Sequence, residues 1–216
     1  MIFQVRKAIL LALLVIPMLG VANLHAEPVR LVVFGDSLSA GYGLPPGEDF
    51  VTKLYDKLGE TDQNLVINNA GVSGDTSSAG LARIDWSVPD GTDGVLLELG
   101  ANDMLRGLDP TVTAEAMEGM VKRLQERGIA VLLIGMRAAP NLGPEYVAAF
   151  DAIYPDLARR YDLIFYPFFL EGVAAQRHLN QDDTIHPNEA GVAVIVDNIA
   201  PTVVEFIDRI RSSQAS

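Results

Sequence analysis

The sequence predicts an α/β fold, a three-layer α/β/α domain wound on both faces of a five-stranded parallel sheet. Three observations predict it. Five short runs are nearly continuous in apolar and β-branched residues instead of alternating, as expected for strands buried on both faces. The segments between them repeat apolar residues at helical spacing. Strand-like and helix-like segments alternate, the order that builds parallel sheets through helical crossovers.

The strand runs are residues 30–34, 65–68, 94–99, 129–134 and 163–166. After the first, Phe50, Val51, Leu54 and Leu58 share one face of a predicted helix. Between the third and fourth, Met117, Met120, Val121 and Leu124 do the same, and that helix is well punctuated. Asp109 can cap its start, Pro110 fits the first helical position, and Gly128 can close its end. Tyr146, Phe150, Ile153, Tyr154 and Leu157 continue the pattern, with Pro155 expected to kink or restart the helix. The last helix presents Val192, Ile195, Ile199, Val203, Phe206 and Ile210 on one side, with an interruption expected at Pro201. No repeat, low-complexity stretch or linker marks a second domain, so the elements compose one flavodoxin-like unit.

Residues 1–26 read as an export signal. Arg6 and Lys7 precede an apolar stretch that ends by Asn23 and is broken by Pro17 and Gly20, too short for the roughly 20 apolar residues of a membrane span. Small residues allow cleavage after Ala22 or Ala26, leaving a domain over residues 27–216 that is periplasmic or secreted and has no stable membrane anchor. The chain has no cysteine, so no disulfide framework, lipidated thiol or thiolate nucleophile is available and the core alone must hold the exported fold. The formal charge is −12, and about −14 without Arg6 and Lys7. Such a balance repels nucleic acid and anionic bilayers at long range, so no nucleic-acid partner is expected. It leaves room for a local basic patch around Arg83, Arg106 or Arg137.

In doubly wound sheets, ligands bind beyond the carboxyl ends of the strands. Four polar segments follow strand runs or precede the last helix, and would meet there. Ser37 stands in Gly35-Asp36-Ser37-Leu38-Ser39, Gly74 ends Asn69-Ala70-Gly71-Val72-Ser73-Gly74, Asn102 stands in Gly100-Ala101-Asn102-Asp103, and Asp183 and His186 share Asp183-Thr184-Ile185-His186-Pro187. Together they supply a nucleophile, a base, a base orienter and oxyanion donors. Asp183 and His186 are three residues apart, so one turn can aim the carboxylate at the imidazole; Asp182 is the alternative orienter. Gly74 can offer an unobstructed backbone N–H and Asn102 a side-chain amide to developing negative charge. Asp36, Asp75 and Asp103 are expected to satisfy loop N–H groups.

Other chemistries fit less well. Ser37 does not lie in a Gly-x-Ser-x-Gly elbow. Gly41-Tyr42-Gly43-Leu44-Pro45-Pro46 has proline where a dinucleotide fingerprint needs its third glycine. A metal site built on His186, Asp182 and Asp183 lacks a second imidazole or thiolate.

These blocks resemble the SGNH (GDSL) hydrolase superfamily. GDSLSAGYGL at 35–44, the second block ending at Gly74, Gly100-Ala101-Asn102-Asp103 and Asp183-Thr184-Ile185-His186-Pro187 occur in the family's order over essentially the whole mature chain. The stretch 35–47, Ala152-Ile153-Tyr154-Pro155 and Tyr166-Pro167-Phe168-Phe169 are similar to the periplasmic thioesterase I, protease I and lysophospholipase group and to bacterial arylesterases. The resemblance implies Ser37 as nucleophile, His186 as base and Asp183 as orienter. It also implies an oxyanion hole of the Ser37 N–H, the Gly74 N–H and the Asn102 amide, and hydrolysis of small acyl esters and thioesters with no metal and no organic cofactor. A monomer is expected, since a triad of this kind is complete within one chain.

For the acyl group, positions after the third and fourth strands nominate Leu105, Leu108, Leu142, Ile185 and the loop 137–144. Two alternatives keep the same pocket: an acetylesterase for carbohydrate, and an acyl-ligand binding protein with an idle triad. Trp86 is the only tryptophan available for sugar stacking, and a packing role at a helix end suits it equally.

Overall fold

The computed structural model describes residues 27–59, 62 and 64–215, so the expected export segment 1–26 lies outside the described residues. Five strands form one parallel sheet in the order β2-β1-β3-β4-β5: β1 (Val29–Phe34), β2 (Leu65–Asn69), β3 (Gly94–Glu98), β4 (Ala130–Ile134) and β5 (Ile164–Tyr166). Helices α1 (Ser37–Ala40), α2 (Phe50–Gly59), α3 (Ser77–Ser87), α4 (Ala101–Leu105), α5 (Pro110–Glu126), α6 (Pro144–Asp151), α7 (Ile153–Tyr161) and α8 (Glu189–Gln214) complete the described chain. One layer pairs α2 with α8; in the other, α5 packs against both α3 and α7.

The central strands are apolar for the expected reason. Every residue of β3 is buried, as are all of β1 except Arg30 and all of β4 except the half-buried Ala130. Strand β2 departs from that expectation. Only Leu65 is buried in it, and Val66 is exposed, because β2 lies at the sheet edge where α2 covers part of one face.

The α5 boundaries follow the sequence signals. Asp109 accepts from the Thr111 N–H at 2.9 Å, Pro110 is the first helical residue, and Gly128 lies just past the end with φ 71°. Pro155 restarts the chain as a new helix: α6 stops at Asp151 and Pro155 falls in the first turn of α7, where its missing N–H costs no helical bond. Pro201 does not interrupt α8, contrary to the expectation. The helix runs unbroken past it, because the carbonyl deprived of a donor belongs to Asp197, which like Pro201 is exposed and can turn to water. Trp86 is exposed on α3 and has no packing role.

Gly100, between β3 and α4, has φ 118°, and a Cβ there would collide with the Tyr154 hydroxyl. Only glycine allows this tight exit from the sheet. At the opposite edge, Asp93 accepts from the Arg30 N–H and from Gln214 Nε2, both at 2.7 Å, tying the start of β1 to the end of α8.

Candidate active site

Strands β1 and β3 are neighbours whose chains leave in opposite directions, toward β2 on one side and β4 on the other. This is the topological switch point of the sheet, where a crevice opens. Ser37 leaves β1 as the first residue of α1 and Asn102 leaves β3 within α4.

Asp36 caps α1: its Oδ1 accepts from the Leu38 N–H at 3.0 Å, and its Oδ2 accepts from Asn102 Nδ2, also at 3.0 Å. Asp103 ties α4 to its surroundings, accepting from the Ser77 N–H at 2.8 Å, the Ser77 hydroxyl at 2.5 Å and the Thr113 hydroxyl at 3.2 Å. Asp36 and Asp103 thus satisfy N–H groups in the first turns of α1 and α3, where loop N–H groups were expected. Asp75 instead pairs with the buried Arg83 at 2.5 Å, whose guanidinium lies 3.9 Å from the centre of the Phe34 ring and also donates to the Gly35 carbonyl.

The segment before α8 supplies the other half. Asn180 bridges to Pro187, and the Gln181 N–H donates to the His186 carbonyl at 2.8 Å, closing the turn. Gln181 Nε2 reaches the Tyr42 carbonyl at 2.7 Å and the Pro187 carbonyl at 2.9 Å, which fastens the turn to the loop after α1. Within it, Asp183 Oδ1 accepts from the N–H groups of Ile185 (2.9 Å) and His186 (3.0 Å). Asp183 Oδ2 lies 2.6 Å from His186 Nδ1, and His186 Nε2 lies 2.9 Å from Ser37 Oγ. The Tyr42 ring leans on the imidazole with centroids 4.7 Å apart. Ser37, His186 and Asp183 therefore form one continuous hydrogen-bonded line. Asp182 is turned away toward Arg177, 3.7 Å distant.

The two aspartates of the site feel opposite environments. Burial dominates at Asp36 and pushes its carboxyl up to about 6, against the Leu38 N–H, the Asn102 amide and the nearby His186. At Asp183, burial is again the largest single influence and acts upward. The hydrogen bonds from His186 and Ile185 together outweigh it and bring the carboxyl down to about 2. Asp183 thus stays ionised, and a carboxylate at Nδ1 favours the Nδ1–H tautomer, whose Nε2 faces Ser37 Oγ as an acceptor.

A cleft of about 720 Å³ opens over this line, within the size range of small-molecule sites. Ser37, Gly74, Asn102 and His186 all line it. Gly74 has φ 87°, and its carbonyl accepts from Arg106 Nη2 at 2.7 Å. Leu105, Ile185 and the first part of the 137–144 loop, from Arg137 to Pro140, line the cleft as expected. Leu108 and Leu142 do not, and Leu142 packs against the core instead. Sequence reasoning missed Tyr42, Met104, Met136, Phe168 and Leu170 as cleft residues. Phe168 and Leu170 follow β5 closely, so the rule of position used for the third and fourth strands finds them once applied to the fifth. Of the three arginines named for a basic patch, Arg83 is buried and paired, while Arg137 lies at the cleft, 3.6 Å from Glu171. Among the described residues, no group of three or more His, Asp or Glu side chains is arranged to hold a metal ion.

The sequence profile of the GDSL-like lipase/acylhydrolase family matches residues 33–194, most of the described domain. The chain belongs to this family. As a GDSL-like acylhydrolase it is an enzyme that hydrolyses ester bonds. It is 37% identical to an arylesterase of Vibrio mimicus over 92% of this chain and 98% of that protein. It is 38% identical to thioesterase 1/protease 1/lysophospholipase L1 of Escherichia coli K12 over 82% of this chain and 85% of that protein. The solved structure of AlinE4, an SGNH-hydrolase family esterase, is 46% identical and superposes with a TM-score of 0.70, covering 83% of this chain and 97% of that one. The five-stranded α/β/α architecture expected from sequence is the one the structure has.

Proposed function

We propose that this acylhydrolase is an exported serine esterase and thioesterase, cleaving aryl esters, acyl thioesters and lysophospholipids through an acyl-enzyme on Ser37. The observation that carries this reading is the line Asp183–His186–Ser37, with 2.6 Å and 2.9 Å between successive partners. Ser37 Oγ attacks the acyl carbonyl as its proton passes to His186 Nε2, and Asp183 steadies the imidazolium that results. The imidazolium then protonates the leaving alkoxide or thiolate. Water deacylates Ser37 by the same route in reverse. The Ser37 N–H, the Gly74 N–H and the Asn102 amide take up the charge on the tetrahedral oxygen.

The apolar lining from Leu38, Met104, Leu105, Met136, Phe168 and Ile185 suits an acyl chain. It favours acyl substrates over acetylated sugars, and Trp86 stands on α3 outside the cleft. The names of the relatives, arylesterase and thioesterase 1/protease 1/lysophospholipase L1, support the same range. Residues 1–26 serve as the export signal in this reading, and residues 27–216 are the mature domain, active as a monomer in the periplasm or medium.

The test is the initial rate of wild type and Ser37→Ala on p-nitrophenyl esters from acetyl to palmitoyl, with an acyl thioester and a lysophospholipid alongside. Turnover lost in the variant is expected, with a chain-length profile that ranks the substrates. Equal turnover in both proteins sinks the acyl-enzyme reading.

A further inference from the structure

Beneath the serine lies a pair of buried carboxyl groups that the acyl-transfer cycle does not use. Glu98 ends β3 fully buried; its Oε2 accepts from the Ser39 hydroxyl at 2.8 Å, and its Oε1 has no partner among the described residues. Burial, and then the charge of Asp36, push the Glu98 carboxyl well above its ordinary range. The neighbouring Asp36 is also fully buried. A carboxylate in such a place is costly unless hydrogen bonds compensate it.

At Asp36 one such bond comes from the side chain of Asn102. An asparagine side chain has two ends of nearly equal shape, and only the nitrogen end can donate to an oxyanion. A hydroxyl or amide neighbour could pair with either end. An ionised carboxylate accepts only, so it draws the nitrogen end toward itself. Asp36 Oδ2 holds one hydrogen of Asn102 Nδ2 at 3.0 Å; no second acceptor for that amide occurs among the described residues, and Asn102 lines the cleft. We infer that Asp36 is a positioning residue that fixes the amide of Asn102 with its second N–H toward the substrate oxygen. The inference rests on the oxyanion hole proposed above.

The test is a double-mutant cycle on kcat with wild type, Asp36→Asn, Asn102→Ala and the double variant, using a p-nitrophenyl ester. Asp36→Asn is expected to lower kcat by about 10- to 100-fold, part of what an oxyanion donor supplies, with KM changed less than about twofold. In the Asn102→Ala background the same substitution is expected to cost less than about twofold. Losses that multiply overturn the inference, because a merely structural Asp36 acts without Asn102. Asp36→Ser keeps a good cap for α1 while removing the carboxylate, and the same coupling is expected from it. In the wild type itself, one hydrogen of the Asn102 side-chain amide should be protected from solvent exchange and the other not. Two freely exchanging hydrogens overturn the inference without any variant. Loss of turnover in Ser37→Ala together with a multiplicative cycle rejects the role of Asp36 alone, whereas turnover that survives Ser37→Ala rejects the acyl-enzyme itself.

Discussion

The two halves of the site are built in contrasting ways. Ser37, Asp36, Ser39, Glu98 and Asp103 are all buried, held where β1 and β3 pass into short helices. Asp183 and His186 occupy a turn without helix or strand, with Thr184 at φ 63° and much of the Asp183 side chain open to solvent. The buried half is held by hydrogen bonds among its own polar groups, from Ser39 to Glu98, Asn102 to Asp36 and Ser77 to Asp103. The turn is fixed by bonds from main-chain N–H groups, from Gln181 across to the His186 carbonyl and from Ile185 and His186 to the Asp183 carboxylate. One residue type answers to both designs: Asp36 is governed by loss of water and Asp183 by the N–H groups it collects. A hydrolase needs both. In the proposed cycle the oxyanion donors must not move as charge develops, while the base must exchange protons with a leaving group and with water.

The sharpest test of the contrast is the atom where the halves meet. Ser37→Ala should lower kcat by on the order of 10⁴-fold or more. Substantial residual activity would mean that floor and turn do not work as one unit. Next is the turn alone: Asp183→Asn keeps the shape, loses the tautomer control, and should cost about 10⁴-fold in kcat. Asn102→Ala probes the floor and, with Asn102 as one donor of the proposed three, should cost roughly 10²- to 10³-fold. An Asn102 variant as slow as the Asp183 variant would erase the ranking of the halves.

The pH dependence of stability separates them further. The Asp36 carboxyl is raised in the folded state from 3.8 to about 6, so its contribution is fully present below its unfolded value and is lost as pH rises through about 6. Asp183 is lowered to about 2, so its contribution is present above its unfolded value and is lost only as pH falls through about 2. Urea unfolding of wild type and Asp36→Asn between pH 4 and 7.5 should show the variant gaining on wild type as pH rises, by on the order of 3 kcal/mol. A difference independent of pH would show that burial does not govern Asp36. The smallest effect is expected at Thr184→Gly, which relieves a left-handed β-branched residue but adds freedom to the unfolded chain. Stability within about 1 kcal/mol of wild type is expected by thermal unfolding. A larger loss would mean that the Thr184 side chain, and not the main-chain bonds, holds the turn.

The sequence was most legible where burial and composition agree. The strands β1, β3 and β4 read clearly because both faces are covered. Edge strand β2 carries the same residue types without the burial, and composition cannot tell the two apart. Helix α3 was least legible, since its buried residues are Ser77, Gly80, Arg83 and Ile84, a face that is small and polar where a hydrophobic stripe is the usual signal. At the site, Asp183 and His186 were readable because three residues separate them, so local geometry decides their meeting. The bond from Asn102 to Asp36 joins positions 66 residues apart and exists only because β1 and β3 are neighbours in the sheet. Arg106 on the Gly74 carbonyl was hidden for the same reason.

Asp93, which clasps Arg30 near the start of β1 and Gln214 at the end of α8, has a practical corollary. With residues 27–216 as the mature domain proposed above, its two ends emerge side by side at the face opposite the cleft. A tether, fusion partner or solid support attached at either end would hold the molecule from behind and leave the cleft facing outward. A short linker between the two ends would allow new termini to be opened in a distant surface loop, yielding a circularly permuted hydrolase in which floor and turn keep their places.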